Sequence, residues 1–137
     1  MNKKFFIAWL VVFVLWFIGV YVINAILLLD DWMPVPLLRG WEGELKVYHF
    51  MVLPFVLWSG SSVWVYQNFA RREPWLQRGL LFGVVLSLLT IIPMRMMNYA
   101  SLQLPGMVLV KECIYQTILL LILGVVIAWF YREPARR

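Results

Sequence analysis

Residues 5–29 read FFIAWLVVFVLWFIGVYVINAILLL, and only Gly19 and Asn24 among these 25 positions are not apolar. About 20 helical residues cross a hydrocarbon layer of roughly 30 Å, so this run is long enough to span a bilayer with some tilt. It follows Met1-Asn2-Lys3-Lys4, which looks like the basic start of a signal peptide. The run exceeds an h-region of about 7–15 residues and no small-x-small cleavage site follows it. The expectation is a retained first helix.

Three further apolar runs lie downstream: 47–70, with His49 near its start and Pro54 inside; 79–94, which stops at Arg95 and continues as a span to about 98; and 107–131, with Lys111 and Glu112 in its first turns. Pro54 predicts a kink, tolerated where neighbours satisfy the freed carbonyl. Arg95 is expected at the bilayer edge, snorkelling or paired. The connections are short, with Arg71-Arg72-Glu73-Pro74 a stop and Leu104-Pro105-Gly106 a turn. The fold class that follows is an all-α integral membrane protein: one domain of four transmembrane helices, about 5–29, 47–70, 79–98 and 107–131, in an up-down antiparallel bundle.

Composition agrees. The 137 residues are 64% hydrophobic and 14% charged, against about 45–50% and 25% for soluble domains. A particle this small has too much surface to hide the excess. A soluble enzyme, a disordered tail and a disulfide-stapled secreted module are excluded, the last because Cys113 is the only cysteine.

Basic residues set the orientation. Lys3, Lys4, Arg71, Arg72, Arg78, Arg132, Arg136 and Arg137 fall on one side, and Arg39, Lys46, Arg95 and Lys111 on the other. Both termini are therefore expected in the cytoplasm. The net charge of +5 reads as a topology signal and an attraction for anionic lipids. No basic stripe marks a nucleic-acid interface. Trp32, Trp41, Tyr48 and Tyr99 fall at the outer interface and Tyr66, Trp75, Trp129 and Tyr131 at the inner one, as in ordinary anchoring belts.

Two patterns stand out. Gly79, Gly83 and Ser87 recur every four residues, a spacing that lines one helix ridge and admits a close neighbour. Gly124 with Ala128, and the group Ser59-Gly60-Ser61-Ser62, are candidate surfaces opposite it. The serines could instead line a polar path. The second pattern is a polar layer. Counted inward from the outer ends at 1.5 Å per residue, Asn24, His49, Arg95 and Glu112 lie within roughly 8 Å of that boundary. Gln116 and Tyr115 share a face with Glu112, and Asn98 and Tyr99 share one with Arg95. An Arg95–Glu112 pair would clamp the last two helices; the alternative is that both lie wet among headgroups.

His49 is the single histidine, so bis-histidine haem ligation within the chain is excluded and no metal-ligand spacing exists. No catalytic or cofactor motif is present. The longest connection contains Asp30, Asp31, Trp32, Pro34, Pro36 and Arg39, a mix of acid, aromatic and apolar residues that makes it the candidate partner loop.

Leu28-Leu29-Asp30, Gly79-Leu80-Leu81-Phe82-Gly83, Ile92-Pro93-Met94 with Asn98-Tyr99, Leu104-Pro105-Gly106 and Gly124-Val125-Val126-Ile127-Ala128 with Tyr131-Arg132 together resemble a family of small four-helix bacterial inner-membrane proteins of uncharacterised activity. The resemblance implies a multi-pass place in the bacterial inner membrane and carries over no site.

The expected function is non-catalytic: association with membrane lipids and with other membrane subunits or copies of itself, as an accessory or scaffolding subunit or a homo-oligomer. The rivals are a small transporter or channel component, and a quinone- or lipid-binding redox protein using His49 and Glu112. No cofactor is otherwise called for.

Overall fold

The computed structural model describes residues 3–32, 48–68, 74–101 and 105–132, with side chains described from residue 52 in the second segment and up to residue 99 in the third. Among the described residues every regular element is helical and there is no strand. Helix α1 is Lys3–Val22 and runs on through a π-helical turn, Ile23–Leu27, to a bend at Leu28; α2 is the single turn Leu29–Trp32. Helix α3 is Tyr48–Gln67, unbroken at Pro54. Helix α4 comprises Trp75–Leu86, a second π-helical turn at Ser87–Ile91, and Ile92–Ser101; α5 is Gly106–Phe130. Pro74 and Pro105 stand immediately before α4 and α5 in extended conformations, where the fixed ring torsion starts a helix without losing an internal hydrogen bond.

Three helices, Lys3–Leu27, Trp75–Tyr99 and Gly106–Phe130, have 25 residues each and mean hydropathies of 2.7, 2.0 and 2.3 over an 18-residue stretch. Each is long and apolar enough to cross a membrane, and the chain reads as a membrane protein. The apolar run that stops at Met94 in the sequence does not end its helix. The backbone continues through Arg95 because that charge is paired, as described below.

Helix α5 is central, packing along α4 and also against α1 and α3. The α4–α5 seam is built on small residues. A methyl group placed on Gly83 would lie 2.7 Å from the Leu120 carbonyl oxygen and the Leu121 Cα. One placed on Gly79 would lie 2.8 Å from the Ala128 Cβ and the Gly124 carbonyl. Around this contact Phe82, Leu86, Leu120, Leu123 and Ile127 bury themselves with Phe5, Ala8 and Val12 of α1 and Val63 and Tyr66 of α3. The two small-residue surfaces go to different neighbours. Gly124 and Ala128 face Gly79 and Gly83, whereas Gly60 lies under the indole of Trp9, 3.1 Å from where its Cβ would stand. Trp9 Nε1 also donates to Ser59 Oγ at 3.0 Å and to the Val56 carbonyl at 3.1 Å. Ser59 and Gly60 thus serve the α1–α3 contact, whereas Ser61 is exposed and borders a cleft.

In lipid there is no aqueous hydrophobic drive between helices, so dispersion at such close crossings holds them together. Gly83→Ala is expected to destabilise by about 1–3 kcal/mol, the usual cost of overpacking. Leu80→Ala, on a side chain 41% exposed, is expected to change little. Thermal unfolding of the two variants in detergent checks this, and equal effects would contradict the close crossing.

Candidate functional site

The seam continues from its small residues into polar ones. On α5 the residues Ala128, Gly124, Leu120, Gln116 and Glu112 repeat every four positions and all are buried. On α4, Ser87 follows Gly83, and its hydroxyl is 2.6 Å from that of Thr117. Beyond it Arg95 Nη2 meets Glu112 Oε1 at 2.5 Å, with the Glu112 side chain 1% and the Arg95 side chain 21% exposed. Partner numbers fall along α5 as they rise along α4.

The π turn at Ser87–Ile91 is what brings Arg95 onto this seam. A regular helix advances about 100° per residue, so each four-residue step drifts by about 40°. From Gly79 to Arg95 the accumulated drift would be about 160°, turning Arg95 away. A π turn takes up one extra residue and so cancels about 100° of that rotation. Thr90, within the turn, donates to the Leu86 carbonyl at 2.7 Å.

The remaining members of the polar layer separate. Gln116 is 2% exposed and lies one turn from Glu112. Asn24 Nδ2 donates to the Val20 carbonyl of its own helix at 2.9 Å. His49 is in α3, but its side chain lies outside the described residues, as do Pro34, Pro36 and Arg39 of the candidate partner loop. Asp30, Asp31 and Trp32 lie in α2. Asp31 accepts from Lys111 Nζ at 2.8 and 3.1 Å, tying α2 to α5. Among the described residues, no three His, Cys, Asp or Glu side chains gather as a metal site would need.

Several polar atoms here are buried without a hydrogen-bond partner: Arg95 Nε, Glu112 Oε2, Gln116 Oε1 and Trp16 Nε1. Trp16 packs on Trp58 and Phe55, with ring centroids 4.0 and 4.6 Å apart. Three of these four residues, Trp16, Arg95 and Gln116, border one cleft. Sequence reasoning had no hold on Trp16, Thr117 or Trp9, since an indole or a threonine within an apolar run carries no sign of a partner on another helix.

Removing one member of a desolvated ion pair strands the other charge, at a cost of about 3–5 kcal/mol. Arg95→Met and Glu112→Gln are each expected to destabilise on that scale, and the double variant to cost less than the sum. A double-mutant cycle in detergent reads the coupling, and additive effects near zero would contradict a desolvated pair.

No family model, curated protein or solved structure matches the chain, so the reading of this site rests on its own geometry.

Proposed function

We propose that the chain is a four-span protein of a bacterial inner membrane. Its spans α1, α3, α4 and α5 alternate in direction, and both termini lie in the cytoplasm. The 20 residues of α3 suffice for the fourth crossing. The falling and rising partner numbers between α4 and α5 support the alternation, as do the pairs Gly19 with Leu119 and Asp31 with Lys111. The excess of basic residues beside the termini supports the orientation.

The function we propose is association: an accessory or scaffolding subunit of a larger membrane complex, or a homo-oligomer. The observation that carries this reading is the Lys111–Asp31 pair. It ties the turn α2, which follows the first span, to the start of α5. At the same ends of α4 and α5, Met96, Met97, Tyr99 and Met107 are all more than half exposed. Methionine side chains are unbranched and polarisable, and they adapt to an irregular partner surface. The pair itself is partly exposed, and exposed pairs add little to folding, so its loss should free α2 without unfolding the bundle.

Native purification in mild detergent, with mass spectrometry of what co-migrates, is the test of association. Asp31→Asn is expected to leave the melting temperature nearly unchanged and to deplete the co-migrating partner or the oligomer. A wild-type protein that runs as a lone monomer would refute the reading. The topology is checked in a Cys113→Ser background: Val35→Cys should label from the periplasm, and Ala135→Cys only after lysis.

A further inference from the structure

Gly19 meets Leu119 and Asp31 meets Lys111, so α1 and α5 run antiparallel and α1 starts where α5 stops. At that end the described residues carry four cations, Lys3, Lys4, Arg78 and Arg132, and no carboxylate. The described acids, Asp30, Asp31 and Glu112, stand at the opposite end, where Asp31 pairs with Lys111 and Glu112 with Arg95.

One of the four cations is built into the fold. Arg78 Nε donates to the Tyr66 hydroxyl at 2.9 Å. Tyr66 is itself buried and held edge-on against Phe82, with ring centroids 5.1 Å apart. The backbone beside Arg78 is equally fixed, because Gly79 seats α4 directly on Gly124 and Ala128 of α5. The guanidinium is thus held from its Nε side. Its two Nη nitrogens have no partner among the described residues and keep accessible surface. They form the open edge of a planar fork, the edge that takes two oxygens of a carboxylate or phosphate together. Lys3, Lys4 and Arg132 are exposed and add positive field without such a fixed geometry.

The surroundings select the anion. Trp75 shares a helix face with Arg78 at three-residue spacing, and Trp75, Leu76 and Leu80 are exposed. A headgroup phosphate on the fork would leave its acyl chains beside these apolar side chains, whereas a free phosphate has nothing to lay there. The ammonium of a zwitterionic headgroup would meet cations and no described carboxylate.

We propose that Arg78, positioned by Tyr66, binds the phosphate diester of an anionic phospholipid at this end of the bundle. The site is remote from the surface assigned above to association, and either can fail without the other.

The test is calorimetric titration of the purified full chain in dodecylmaltoside with dioleoylphosphatidylglycerol, at about 0.15 M salt, where exposed charges are screened beyond about 8 Å. Saturable binding is expected. Arg78→Gln is expected to weaken it about tenfold, the loss of a charge-assisted hydrogen bond. The double variant Lys3→Gln, Lys4→Gln removes twice the charge and is expected to weaken it less than Arg78→Gln does. Arg78→Lys keeps the charge without the fork and is expected to recover little. Tyr66→Phe keeps the ring against Phe82 and releases Nε, and is expected to weaken binding severalfold. Melting without lipid identifies any variant that does not fold; if Arg78→Gln is one, Arg78→Lys and Tyr66→Phe decide. Dioleoylphosphatidylcholine is expected to bind at least about tenfold more weakly than phosphatidylglycerol, and inorganic phosphate is not expected to displace it. The proposal is overturned by absence of saturable binding, by an equal or larger loss in the lysine variant, or by wild-type affinity in Arg78→Lys or Tyr66→Phe. Equal binding of phosphatidylcholine would overturn the requirement for an anionic lipid, and displacement by inorganic phosphate would overturn the lipid as its source.

Discussion

The closest approach of α4 and α5, at Gly79, Gly83 and Gly124, is the constraint on which the rest of the molecule depends. With no side chains between the two backbones there, the helices stay near enough for short polar groups to meet further along. The Ser87 and Thr117 hydroxyls need that proximity to touch at 2.6 Å. Arg95 and Glu112 need it to pair inside the membrane, and the π turn supplies the rotation that aims Arg95. Widening the seam by the bulk of one methyl group would act on all three contacts at once.

Polar groups among the described residues are satisfied to different degrees. Asn24, Ser59 and Thr90 bond to carbonyls of their own helices, the inexpensive solution in a medium without water. Trp9 closes the α1–α3 contact by donating to Ser59 and Val56. Arg95, Glu112, Gln116 and Trp16 each keep one buried atom without a partner, as does Trp32 in α2. A structural clamp alone would be better served by a fully bonded set. Three of these five residues, Trp16, Arg95 and Gln116, border the same cleft.

Much of the helical content was legible because long uncharged runs admit few alternatives, and the ridge of Gly79, Gly83 and Ser87 was legible because four-residue spacing fixes a face. Depth counting was enough to set Arg95 and Glu112 at one level. Other features left no trace in the pattern. Ser87-Leu88-Leu89-Thr90-Ile91 looks like any apolar helix, so its wider turn was invisible. The Trp9–Ser59 bond joins residues 50 positions apart, and neither residue type names its partner. Gly60 could be recognised as small, but not as the seat of an indole. The cleft is lined from α1, α3, α4 and α5 together, a property of three-dimensional packing with no periodic signature.

The π turn in α4 also bears on how this sequence can change over generations. A regular membrane helix is intolerant of losing a residue in its middle, because everything beyond the gap rotates by about 100°. At Ser87–Ile91 the helix already holds one residue more than regular winding requires. Leu89, 71% exposed in that turn, makes little contact with the interior. Loss of its codon would let the segment relax to ordinary winding with Gly83 and Arg95 still on their present faces. The same loss two turns earlier would swing Arg95 away from Glu112. Length variation within α4 is therefore expected to collect at this turn, and a homologue one residue shorter there can keep the same ion pair.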